Sequence, residues 1–216
     1  MMLSAADSFK AESFKYVEGE LERSGYAAVH NFVDSAGGAR LAAECHALHA
    51  AGQLAPAAVG RGDARSERAH IRGDRTHWFD AATLTPAQSV YWRRMDELRI
   101  ELNHTLLLGL QDLEAHYALY PAGARYARHR DRFHDDDARV LSSVLYLNPD
   151  WRDEDGGALR LYPGANAQNP HVDIYPTIGT LVLFLSAGFD HEVLPATRER
   201  LSIAGWFRRR SNRYSG

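Results

Sequence analysis

Two hydrophobic rhythms divide this chain near residue 111. Before it, apolar side chains recur every three or four positions, the spacing of a helix face; after it they alternate, the spacing of a strand. In residues 4–24, Phe9, Phe14, Val17 and Leu21 fall on one helical face, and Ser24-Gly25 closes the segment. Residues 26–32 form a short strand candidate. Asp34 offers an N-cap for an Ala- and Leu-rich helix running to about Ala51, with Gly52 as its stop. Thr85-Pro86 opens a third helix, an N-cap followed by proline at the first helical position, where a missing N–H is no loss. That helix should reach Leu108 before Gly109 and bury Val90, Met95, Leu98, Leu102 and Leu106.

Residues 55–75 are rich in Gly, Arg and Asp and show no apolar period. Long segments of this kind are usually functional or disordered. Ile71-Arg72-Gly73-Asp74 then leads into Thr76-His77-Trp78-Phe79. Two readings stay open: a solvated loop entering a strand, or a mobile flap over a pocket.

Beyond residue 112 the strand candidates are 113–120, 126–129, 140–147, 158–162, 172–175, 180–185, 191–193 and 201–208. Pro121-Ala122-Gly123, Asn148-Pro149-Asp150, Asp155-Gly156-Gly157 and Pro163-Gly164 supply turns between them. Short strands at this spacing imply a sandwich or barrel. The expected architecture is α+β: a double-stranded β-helix, or jelly roll, flanked by N-terminal helices. The helices would cover one outer sheet face, because an uncovered apolar face is a liability. One domain is expected over 1–216, with 1–111 as helical support and flap region and 112–209 as the core.

The apolar fraction of 45% and charged fraction of 25% are ordinary for a globular chain. A net charge of −3 gives no general attraction to nucleic acid or to an acidic membrane surface. The single cysteine, Cys45, excludes an internal disulfide framework and suits a reducing compartment. The first ten residues lack the basic and apolar regions of a secretory signal. No window approaches the ~20 apolar residues of a membrane helix. A cytoplasmic protein is the expectation.

The chemistry concentrates between His129 and Arg200. His129 and Asp131 lie two apart, so on a strand both side chains point the same way. His191 would join them from across the barrel. Two neutral imidazoles and one carboxylate can cap one face of Fe(II) and leave the other open, the arrangement of non-haem Fe(II) oxygenases. A second His-x-Asp, in His134-Asp135-Asp136, sits in a polar run that looks like a solvated loop; His129 ends a plausible strand and is preferred. His171 follows Pro170 in a polar stretch and is a weaker distal ligand than His191. The remaining histidines, His116 among them, are scattered and suit surface or satisfied-core roles.

Arg200 stands nine positions after His191. A 2-oxoacid cosubstrate would chelate iron at one end and need a cation for its far carboxylate, and an Arg fork pairs bidentately with such a group. Arg200 and Ser202 alternate with Leu201 and Ile203, so both polar groups can face inward.

One ordered block carries a resemblance. Tyr120-Pro121, Tyr126, His129-x-Asp131, Tyr146-Leu147-Asn148-x-Asp150-Trp151, Gly156-Gly157-x-Leu159-Arg160, His191-Glu192-Val193 and Arg200-x-Ser202 through Trp206-Phe207 resemble the 2-oxoglutarate/Fe(II) prolyl 4-hydroxylase family. They are most similar to the branch of oxygen-sensing prolyl hydroxylases and their bacterial relatives, where a segment like Ile71-Arg72-Gly73-Asp74 with Trp78 closes over substrate. The resemblance spans roughly residues 70–208. It implies His129, Asp131 and His191 as iron ligands and Arg200 as partner of the 2-oxoglutarate distal carboxylate. Tyr146 would share that carboxylate, Tyr120 would line the cosubstrate pocket, and Ser202 fits the Arg-x-Ser pattern. Arg139, Trp206, Arg72 and Asp74 fall where substrate is contacted. The turn 121–125 is one residue shorter than in the family, and the segments 133–138 and 60–69 are recomposed.

The implied activity is hydroxylation of an unactivated C–H bond with 2-oxoglutarate and O2, with ascorbate rescuing oxidised iron. The implied substrate is a prolyl residue in a protein, modified at C4. Other classes also fit parts of the pattern. They are a hydroxylase of a free amino acid or other small molecule, a metal-dependent hydrolase, typically of zinc, a non-catalytic iron and 2-oxoglutarate sensor, and a protein-interaction barrel.

Overall fold

The structure, a computed structural model, describes residues 5–59, 66–67, 71–131, 138–164 and 170–210. Three helices precede or interleave with the first strands: α1 (Ala5–Ser24), α2 (Ser35–Ala50) and α3 (Pro86–Leu106). The strands in chain order are β1 (Tyr26–Val29), β2 (Ala55–Pro56), β3 (Ala58–Val59), β4 (Ser66–Glu67), β5 (Arg75–Trp78), β6 (Asp112–Tyr120), β7 (Tyr126–His129), β8 (Arg139–Tyr146), β9 (Leu159–Tyr162), β10 (Val172–Ile174), β11 (Leu181–Leu185), β12 (Asp190–Val193) and β13 (Arg200–Arg208). Every strand expected beyond residue 112 is present within one residue at each end.

Two antiparallel sheets form the jelly roll. The larger runs β1-β11-β8-β13-β6-β5-β2 and the smaller β10-β9-β12-β7; β3 and β4 pair separately. The large sheet is buried on both sides, and alternation sorts its residues between two cores. On β6, Tyr117 and Leu119 face the helices while Ala118 and Tyr120 face the small sheet. On β13, Leu201, Ile203 and Phe207 pack with the helices, leaving Arg200, Ser202, Ala204 and Trp206 for the cavity between the sheets.

The helices are fixed by local signals. Asp34 caps α2 by accepting from the Gly37 amide at 2.6 Å. Thr85 caps α3 in a reciprocal capping box with Gln88. The Glu44 carboxylate of α2 then accepts from Thr85 Oγ1 at 2.7 Å, Gln88 Nε2 at 2.5 Å and Tyr117 OH at 3.0 Å. One side chain thereby joins α2, the start of α3 and β6.

Two expectations change. Val90 is 42% exposed, and Tyr91, wholly buried, takes its place beside Met95, Leu98 and Leu102. One residue along a helix turns the side chain about 100° around the axis, and the face packed on the sheet is set by Tyr91. The strand after Gly25 stops at Val29; Asn31, with φ of 56°, breaks it in the left-handed region. The loop does enter a strand, as one of the two open readings had it: β5 pairs with β6 through Arg75↔Leu119 to Trp78↔His116.

Candidate active site

His129 closes β7 and His191 lies on β12, and the two are direct cross-strand partners. Their ring centroids are 4.2 Å apart. Asp131 lies two residues past His129, beyond the end of the strand, and its carboxylate meets both rings: Oδ1 is 3.6 Å from His129 Nε2 and Oδ2 is 3.5 Å from His191 Nε2. One ligating atom from each residue lies within 4.8 Å of the others, the one such group among the described residues.

The surroundings prepare these atoms for a cation. His129 Nδ1 sits 2.9 Å from the Ala127 carbonyl, which can only accept, so Nδ1 carries the proton and Nε2 presents a lone pair. His191 Nδ1 faces the Phe189 carbonyl at a longer 3.5 Å. Burial lowers the His191 pKa to about 4, outweighing Asp131, so the imidazole stays neutral at neutral pH. Burial alone would raise Asp131, but His191 and His129 hold it well below the usual carboxylate range. Ser142 Oγ donates to Asp131 Oδ2 at 2.7 Å and pairs with Ser186 Oγ at 2.9 Å. Two imidazole nitrogens and one ionised carboxylate oxygen, beside the open space of a cavity, suit Fe(II).

Across the cavity stands Arg200, 1% exposed. Its Nε donates to the Gly157 carbonyl at 2.9 Å and its Nη1 reaches Ser202 Oγ at 3.4 Å. Its Cζ lies 5.2 Å from the Tyr120 ring centroid and 5.1 Å from that of Tyr146. Arg200 Nη2 and Tyr146 OH are both buried with no hydrogen-bond partner, and among the described residues no carboxylate pairs with the guanidinium. Buried charges are ordinarily paired. An unpaired buried cation beside an unpaired phenol calls for a carboxylate ligand, as the distal end of 2-oxoglutarate would be. Gly157, with φ of +69°, makes this possible: a Cβ there would come within 2.9 Å of Ala196 Cβ and 3.4 Å of Arg200 Cδ.

The cavity measures about 520 Å³. At its outer end Arg139 Cζ lies 3.7 Å over the Trp206 ring, while Arg139 Nε donates to Glu114 Oε1 at 2.8 Å. Arg72 lines the opposite wall and stacks 4.8 Å over Tyr126. Asp74 does not line the cavity. Its side chain is fully buried and is occupied by Arg72 through bonds of 2.7 and 2.9 Å, so it positions Arg72 rather than facing a ligand. His171 sits apart from the metal-binding group, 6.3 Å from the Tyr162 ring. The competing His134-x-Asp136 pair lies outside the described residues.

Pattern reading passed over Ser142 and His116. Ser142 gives no signal of its own. His116 does: it precedes Ala118 and Tyr120 at strand spacing, and Tyr120 was already expected to face the pocket.

A profile of the 2OG-Fe(II) oxygenase superfamily matches residues 115–208. A prolyl-4-hydroxylase from Pseudomonas putida is 44% identical, with a TM-score of 0.80 over 91% of this chain and 99% of that one. A Trichoplax adhaerens prolyl hydroxylase, solved with a hypoxia inducible factor oxygen degradation domain peptide, is 27% identical, with a TM-score of 0.84 over 96% and 94% of the two chains. The hypoxia-inducible factor prolyl hydroxylase of Caenorhabditis elegans is 31% identical across 92% of this chain, which spans 28% of that relative's length. The chain belongs to the 2OG-Fe(II) oxygenase superfamily, in its prolyl 4-hydroxylase branch. That membership weighs against the hydrolase and interaction-barrel alternatives.

Proposed function

We propose that this protein is a 2-oxoglutarate- and Fe(II)-dependent dioxygenase that hydroxylates a prolyl residue, at C4, within a peptide or protein. The observation that carries this is Arg200: a buried guanidinium with no counter-charge among the described residues, in one cavity with two histidines and an aspartate set to hold a metal.

His129, Asp131 and His191 would hold Fe(II), which with 2-oxoglutarate and O2 supplies the oxidant for an unactivated C–H bond. The rest falls to the chain. Arg200 and Tyr146 bind the distal carboxylate, and Tyr120 and Ser202 complete that end of the pocket. Burial raises the Tyr146 pKa to about 12, so its OH remains a donor. Asp131, held ionised, offsets part of the metal charge. Apolar walls from Leu159, Phe184 and Val193 exclude water, which strengthens the polar contacts inside. Arg139, Trp206 and Arg72 flank the space left for substrate. The role of prolyl peptides as substrate is supported by the Pseudomonas and Trichoplax relatives.

Among the described residues no helix is long and apolar enough to cross a membrane. A cytoplasmic setting and a need for ascorbate belong to this proposal. The test is incubation of the Fe(II)-loaded protein with 2-oxoglutarate, O2 and a library of proline-bearing peptides. Succinate formation matched by gain of one oxygen on proline is expected. Absence of both, with iron bound, would remove the reading.

A further inference from the structure

His116 is a buried polar group on the cavity wall that the reading above leaves unused. It lies on β6 with Ala118 and Tyr120 on the cavity side, between Trp78 of β5 and Ala204 of β13 as in-sheet neighbours. The Trp78 ring meets it edge-on at 4.7 Å and the Trp206 ring lies at 5.6 Å. Ala204 leaves the imidazole room on its other side.

The tautomer follows from one contact. His116 Nδ1 is 2.9 Å from the Tyr117 carbonyl, so Nδ1 holds the hydrogen and Nε2 carries only a lone pair. Nε2 is buried and has no partner among the described residues. Burial lowers the pKa to about 4, so the ring is neutral at neutral pH. A buried acceptor left without a donor is a standing cost of about 1–3 kcal/mol. It sits on the wall of the cavity, at the end away from Arg200 and Tyr146. The neighbour with freedom to uncover it is Trp78, 44% exposed.

We infer that His116 is a specificity-determining residue whose Nε2 accepts a hydrogen bond from a main-chain amide N–H flanking the target proline. The inference rests on the prolyl-hydroxylase reading and narrows it. A prolyl nitrogen within a chain has no hydrogen, so the donor must come from a neighbouring residue. Peptides with an isolated proline supply that N–H. Runs of consecutive prolines do not, and leave the acceptor unsatisfied. The protein is therefore selective for isolated prolines over oligoproline stretches, with Trp78 moving aside as the peptide enters.

The test uses a proline-bearing peptide that the Fe(II)- and 2-oxoglutarate-loaded wild type turns over. Ester linkages replace the amides one at a time over the residues flanking the proline, removing each N–H in turn. One position is expected to raise KM roughly tenfold with kcat little changed, the size of one lost hydrogen bond to a buried acceptor. His116→Leu should make ester and amide peptides equivalent at that position, and His116→Gln, which restores an acceptor oxygen, should bring the discrimination back. Full ester sensitivity in His116→Leu, or insensitivity at every position in wild type, overturns the inference. Should wild type consume 2-oxoglutarate yet hydroxylate free proline and no peptide, the inference falls with the substrate half of the proposed function. Direct titration of 2-oxoglutarate against wild type and Arg200→Ala reports on the cosubstrate half separately.

Discussion

The Tyr126 ring lies flat on the His129 imidazole, with centroids 3.6 Å apart and planes 15° from parallel. The Arg72 guanidinium also lies over the Tyr126 ring, 4.8 Å from its centroid. Arg72 and the proposed ligand His129 thus both pack on the Tyr126 ring. Tyr126 therefore fixes the ring whose Nε2 must point at the metal. Replacing Tyr126 with Leu should weaken Fe(II) binding about tenfold, the usual cost of losing support behind a ligand. Anaerobic metal titration checks this, and unchanged affinity would show that β7 alone orients His129.

Asp131 and Ser142 divide a single task. Asp131→Ala should abolish stoichiometric Fe(II) binding and turnover. Ser142→Ala keeps the carboxylate but removes its 2.7 Å donor. It should cost roughly tenfold in metal affinity while leaving the fold intact by circular dichroism. Near-normal hydroxylation by Asp131→Ala would defeat the ligand assignment.

Arg200→Ala deletes the cation proposed for the cosubstrate. Losing one partner of a buried charge pair costs about 2–5 kcal/mol, so KM for 2-oxoglutarate should rise at least roughly 30-fold. Metal affinity should stay near wild type. Isothermal titration of 2-oxoglutarate against metal-loaded protein measures the change directly.

Gly157 tests the same end from the backbone. Its φ of +69° and the 2.9 Å approach to Ala196 oppose any side chain. Gly157→Ala should destabilise by about 1–3 kcal/mol. It should also raise KM for 2-oxoglutarate, because Arg200 hangs from the Gly157 carbonyl. Thermal denaturation together with cosubstrate kinetics reads both effects.

His116 makes stability depend on pH in a known direction. The unfolded chain protonates this residue near 6.5, the fold only near 4. Between those values the unfolded state binds more protons, so stability is full above about pH 6.5 and falls as pH drops toward 4. The loss from this group is at most on the order of 3 kcal/mol. His191 adds a loss of the same sign in wild type and in a His116→Leu variant alike. Urea denaturation at about pH 7 and about pH 4.5 should give a smaller pH-dependent loss in the variant, and equal losses would contradict the burial argument.

The alternation of apolar residues beyond 112 determined the β core, because strand facing is a period-two property that neighbours in sequence already express. Capping did the same for the helices at Asp34 and Thr85. The motif residues His129, Asp131, His191 and Arg200 were legible too, through their order and spacing. Tertiary structure alone decided which side of α3 packs, replacing Val90 by Tyr91, because that depends on the sheet it meets. It alone made His129 and His191 cross-strand partners, turned Asp74 into a support for Arg72, and left Arg200 Nη2, Tyr146 OH and His116 Nε2 buried without partners. Exclusion of water and absence of a counter-charge arise only once distant strands close around the same space.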